Sequence, residues 1–217
     1  MWQVRKSIRT YREDPEWHHY RKRESRRWVD MFGRPGYPFG VLGNHATHVL
    51  EGRVRRYPAT LFHLAAVHRG GRYVTDVNYY SVAVLSLPKA LPDTAVSVHA
   101  LVHSLHTDPF PPRAGRPVHL PSGRNPRMVK CSVDPAFAEL VITEQVGRMT
   151  ADTKMGWRLH QNQMIGWIKE RKPYEKVVGL AEVMADVVAE FPKSVWTARL
   201  NQGSPAVWPE EQRTDHP

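Results

Sequence analysis

Cysteine is nearly absent: Cys131 stands alone among 217 residues, so no disulfide can close within the chain. Long apolar runs are absent too. No stretch approaches the roughly 18 residues of a membrane-crossing helix, and no transmembrane segment is expected. The opening MWQVRKSIRT lacks the apolar stretch of a secretory signal. A cytoplasmic setting is therefore expected, with peripheral contact at the inner membrane face as a variant of it. Catalytic signatures are scarce as well. There is no Gly-x-Ser-x-Gly elbow, no Gly-rich phosphate loop, no paired-carboxylate motif and no pair of histidines flanking a glutamate. The balance is against an enzyme, and no cofactor is expected. Acidic residues are in short supply, with 21 Asp and Glu against 31 Lys and Arg, a formal charge of +10. Such an excess favours an anionic partner, namely nucleic acid, an anionic lipid surface or an acidic protein, without choosing among them.

What the chain does have is regular patterning. Asp14 and Pro15 read as an N-cap and first helical residue, and Gly33 as a stop, which predicts a helix from 15 to 32. From 46 to 87 the period is two: ATHVLEGRV, ATLFHLAAVH and RYVTDVNYYSVAVLSL form a three-stranded antiparallel meander, with Gly70-Gly71 suited to a tight hairpin. AVSV at 95–98 adds a short strand. The segment 108–127, with six prolines and four arginines, reads as a long surface loop. In the last third, RMVKCSV is a strand, a helix follows Asp134-Pro135 with Phe137, Leu140 and Val141 inward, and WRLHQ and MIGWIKE make a second hairpin. The final helix is the best marked, because Val177, Leu180, Met184, Val187 and Phe191 recur every three or four residues. The fold class is α+β, an antiparallel meander sheet plus strand, helix, hairpin and helix, covered by helices at 135–148 and 174–191, with a basic N-terminal helix attached. The expected organisation is a basic helical arm at 1–32, a single α+β domain at 33–198 and a mobile tail at 199–217.

Histidines raise the question of a metal. In HALVHSLH, His99, His103 and His106 fall within about 60° of a helical surface, with Leu101, Val102 and Leu105 on the remaining side. His99 and His106 would stand about 10 Å apart along the axis, too far for all three to share an ion that holds imidazoles at roughly 2.0 Å. A polar face on a short amphipathic helix is the expected reading, so no metal site is assigned. His45, His48, His63 and His68 crowd the first hairpin, where cross-strand pairing is expected ahead of a ligand cluster. Cys131 lies in an alternating strand and reads as a small buried thiol, not a nucleophile. No catalytic residue is assigned.

The basic face formed by Arg21, Lys22, Arg23, Arg26 and Arg27, with Trp17, Tyr20 and Trp28 interleaved, suits phosphates and stacked bases. It suits anionic lipid equally. Arg113, Arg116, Arg124 and Arg127 form a weaker second patch. The expected function is a non-enzymatic binding or adaptor module whose anionic partner meets Arg21, Lys22, Arg23, Arg26 and Arg27 together with Trp17 and Trp28. A peripheral membrane-surface protein is the first alternative, and a metal-dependent enzyme using the histidines is the second.

Tyr37-Pro38-Phe39-Gly40, Val49-Leu50-Glu51-Gly52, Phe62, YYSVAVLSLPKALP, Asp134-Pro135-Ala136-Phe137-Ala138, Gly156-Trp157-Arg158, Phe191-Pro192 and Val195-Trp196 come in a recognisable order. In these the chain resembles a group of uncharacterised actinobacterial proteins over roughly residues 37 to 196. The resemblance implies a cytoplasmic α+β domain, often found after one or two transmembrane helices, and carries no catalytic residue across. Here a basic segment at 1–32 replaces the transmembrane one. SGRNPRMVKC likewise replaces an acidic element before the Asp-Pro helix, which puts in doubt any role resting on that element.

Overall fold

The three period-two segments pair as their alternation predicts, as β2 (His45–Val54), β3 (Tyr57–Gly70) and β4 (Val74–Ser86). The computed structural model describes residues 2–20, 45–70, 74–97, 116–118 and 128–197. Beyond β4 the sheet continues through the predicted hairpin, β9 (Gln163–Lys169) and β8 (Gly156–His160), then β5 (Thr94–Ser97), β7 (Val129–Ser132) and β6 (Arg116–Pro117). On the other flank β1 (His18–His19) pairs with β2. The described strands therefore form one nine-stranded sheet of order β1-β2-β3-β4-β9-β8-β5-β7-β6, antiparallel throughout.

Among the described residues the helices are α1 (Trp2–Glu13), α2 (Pro135–Val141), α3 (Glu144–Thr153), α4 (Tyr174–Ala189) and α5 (Lys193–Thr197). This is the α+β class that the patterning predicts. Val177, Leu180, Met184, Val187 and Phe191 are all buried, and each such side chain contributes about 1.5–3 kcal/mol. They join Leu50, Leu61, Ala83, Leu85, Trp157 and Met164 in one core between the sheet and the helices. Close approach is needed there, because a Cβ on Gly166 would stand 2.3 Å from the Met184 sulfur. The opposite sheet face carries its own buried set, with Val49, Phe62, Leu64, Val82, Val84, Ile165 and Trp167. The Leu-Pro turn is structural: Leu87 and Leu91 are buried, and their amides donate to Asn162 and Gln161 carbonyls at 2.7 and 2.9 Å.

Three expectations need correction. Asp14-Pro15 does not open a helix; α1 ends at Glu13, just before it. The Asp14 side chain accepts the Glu16 amide at 2.9 Å and its carbonyl accepts the Trp17 amide at 3.1 Å, a local turn that competes with helical capping for the same groups. Trp17 then enters the core, and His18 and His19 pair with Glu51 and Leu50. Residues 2–20 thus pack against the sheet and α4, and 21–32 lie outside the described residues. The helix predicted over 135–148 is broken into two. Asp134 caps α2 by accepting the Phe137 amide at 3.0 Å, but Ile142 leaves the helical region and Thr143 caps α3 through the Val146 amide at 3.2 Å. Phe137 and Val141 face inward, whereas Leu140 falls on the far side of the short helix and is 43% exposed. Finally, the loop predicted over 108–127 includes β6, and Val118 is buried with its amide on the Lys130 carbonyl at 2.9 Å.

Candidate functional site

The helix that patterning overlooked presents the clearest cationic surface among the described residues. Around α1, Trp2, Arg5, Lys6, Arg9 and Arg12 fall within about 120° of arc. All five are exposed, Trp2 at 73%. Lys6 lies over the Trp2 ring at 5.5 Å from its centroid. The helix carries four cations and one carboxylate, Glu13, which Arg9 holds at 3.0 Å. Ser7, Ile8 and Tyr11 occupy the opposite side and face the body. Tyr11 lies 6.0 Å from Trp17 and 5.9 Å from Tyr174, ring to ring. The signal existed in the sequence, since Val4, Ile8 and Tyr11 are spaced by four and three, but so thin an apolar stripe is masked by the surrounding charge.

Ser7 fixes the helix in place. The N-cap of α4 is Pro173, which offers no side-chain cap. Instead the Ser7 hydroxyl accepts the Tyr174 amide at 2.6 Å and donates to the Glu175 carboxylate at 2.6 Å. One helix thus caps another across the core.

Of the residues assigned to an anionic partner, Trp17 is the one described, and it is 8% exposed. It packs on the backbone of Gly52, where a Cβ would stand 2.7 Å from the indole ring. Trp17 is therefore a core residue and not a stacking platform, which also accounts for the glycine in Val49-Leu50-Glu51-Gly52. Tyr20, half-buried, donates its hydroxyl to Glu51. Arg21, Lys22, Arg23, Arg26, Arg27 and Trp28 lie outside the described residues, as do His99, His103 and His106.

Two clusters of buried polar side chains remain. In the first, His63 on β3 is fully buried and its Nε2–H donates to the Lys172 carbonyl at 2.8 Å. Its Nδ1 has no partner among the described residues, and burial holds the imidazole down to about 4, hence neutral. His48 faces it with ring centroids 6.0 Å apart, from a bulge in β2 where His48 takes a φ of 57° and its carbonyl accepts the Tyr174 hydroxyl. Burial also lowers His48 and His19, with His19 acting on the former and Arg12 on the latter. Burial raises the Tyr174 phenol. Among the described residues no group of three histidine, cysteine or carboxylate side chains is arranged to hold a metal.

Three strands away, Arg158 on β8 is 1% exposed and grips both Asp93 oxygens at 2.8 Å. His160 Nδ1 lies 3.5 Å from the same carboxylate. Burial brings the guanidinium down only to about 10, so it stays charged. Burial pushes the Asp93 carboxyl upward while His160 draws it back. Cys131 pairs with Ala95 next along the sheet, and burial raises its thiol, which makes it a poor nucleophile. Both clusters do structural work. One ties β3 to the entry of α4, and the other ties the Leu-Pro turn to β8.

No protein-family model and no curated protein sequence matches the chain. In three dimensions it is similar to the crystal structure of the mycobacterial trehalose monomycolate transport factor A, TtfA. The TM-score is 0.56 at 12% identity, over 88% of this chain and 98% of that one. At that identity the likeness is one of fold, and the α+β sheet described above is the fold that the two chains share.

Proposed function

We propose that the chain is a non-catalytic adaptor module that engages an anionic partner through a cationic surface. The observation that carries this reading is the outer face of α1, four cations with one carboxylate on a helix that Ser7 ties to α4. The formal charge of +10 supports it, and so does sharing a fold with a protein named as a transport factor. Arg21, Lys22, Arg23, Arg26 and Arg27 follow closely in sequence and belong to the same reading, as does membership of the actinobacterial group. The test is titration of the intact chain with duplex DNA, single-stranded RNA, an acidic peptide and anionic vesicles at low and physiological salt. Affinity for at least one of them that falls steeply as salt rises is the expected result. Affinity for none of them would overturn the proposal.

A further inference from the structure

We propose that the outer face of α1, made of Trp2, Arg5, Lys6, Arg9 and Arg12, docks on an anionic lipid bilayer. This rests on the reading of the chain as a binder of anions and names the partner. The five side chains extend about 15 Å along one helical ridge. A ridge meets a flat surface along its length, and each Lys or Arg brought to anionic headgroups adds attraction that salt screens. Trp2 discriminates between partners. An exposed indole at the edge of a cationic stripe belongs at the headgroup boundary, where its ring is half in apolar and half in polar surroundings. Single-stranded nucleic acid is gripped differently, by successive aromatic platforms along a basic groove. Here Tyr11 and Trp17 turn into the core and Tyr20 is bound to Glu51, which leaves one exposed aromatic on the described surface of residues 2–20. An acidic protein would want an apolar centre within the patch. Ile8 and Tyr11 of α1 are already committed to the body, and exposed Trp2 lies at one end of the stripe instead of its centre.

The experiment is co-sedimentation of the intact chain with phosphatidylglycerol-containing vesicles and with pure phosphatidylcholine vesicles, at low and physiological salt. The intact chain should bind the first and not the second. The triple variant Arg5→Glu, Lys6→Glu, Arg9→Glu should weaken binding by about a hundredfold at low salt. A charge-conserving triple, Arg5→Lys, Lys6→Arg, Arg9→Lys, should bind as the parent does, and matched thermal melts for all three would exclude misfolding. Brominated lipid should quench the tryptophan emission of the bound parent more than that of Trp2→Phe. Equal vesicle binding by the parent and the Glu triple, equal binding to neutral vesicles, or no vesicle binding would each overturn the assignment. If binding to DNA, RNA or acidic peptide persisted in those cases, the broader reading would stand and the lipid would be wrong. Loss of every anionic ligand would sink both.

Discussion

Two regions of the sheet, around β3 and around β8, bury polar side chains in opposite ways. In the β2–β3 region His63 is kept neutral, its imidazole held down to about 4 with one nitrogen satisfied by a carbonyl. In the β5–β8 region Arg158 stays charged and is enclosed with a counter-charge on its Nε and one terminal nitrogen. The first solution makes stability depend on pH in the mildly acidic range. The second makes it depend on both partners being present.

The sharpest way to break this comparison is to install a charge where neither solution exists. Met184→Asp puts a carboxylate between Gly166 and the apolar face of α4, and it should destabilise by about 4 kcal/mol or more in urea unfolding. An unchanged midpoint would show that this face of α4 is not the buried one. Next comes Arg158→Met, which leaves Asp93 without its guanidinium and should cost about 3–5 kcal/mol. Adding Asp93→Leu should recover much of that loss, and a double variant no better than the single would mean that the pair is not the source of the effect.

The pH response of His63 should be of similar or slightly smaller size. Its folded pKa lies below the unfolded value of about 6.5, so the unfolded chain binds the proton more readily. Stability is therefore full above pH 6.5 and falls by up to about 3 kcal/mol as the pH drops toward 4. His48 and His19 are shifted the same way and add to the slope. In His63→Gln the slope measured by unfolding between those pH values should shrink without vanishing. The smallest effect is expected from Ser7→Ala, about 1 kcal/mol for a lost cap, read from the urea midpoint and from faster hydrogen exchange at the Tyr174 amide.

How much of this was legible depends on the range of the interaction. α4 was readable because Val177, Leu180, Met184 and Val187 repeat on one face, and the meander because alternation runs along β3 and β4. The Asp134 cap is a local signal and stood where the sequence placed it. The helix start at Asp14-Pro15 was misplaced because that pair serves a turn as well as a cap, and only the burial of Trp17 against Gly52 decides between them. The approach of His48 to His63 depends on the bulge between Thr47 and Leu50, which breaks the alternation that a reading of faces relies on. Arg158 and Asp93 are separated by 65 positions, one in a strand and the other in a turn, with no periodicity to link them.

The Ser7 hydroxyl changes how the N-terminal helix can be studied. Because the first turn of α4 draws its cap from α1, removing residues 2–13 would strip a helix start at the centre of the domain as well as a cationic surface. Tyr11 would leave with it, uncovering Trp17 and Tyr174. A shortened chain that fails to bind would then report on a loosened core as much as on a missing contact. Substitutions confined to the outward side chains leave that brace in place, and they are the cleaner instrument.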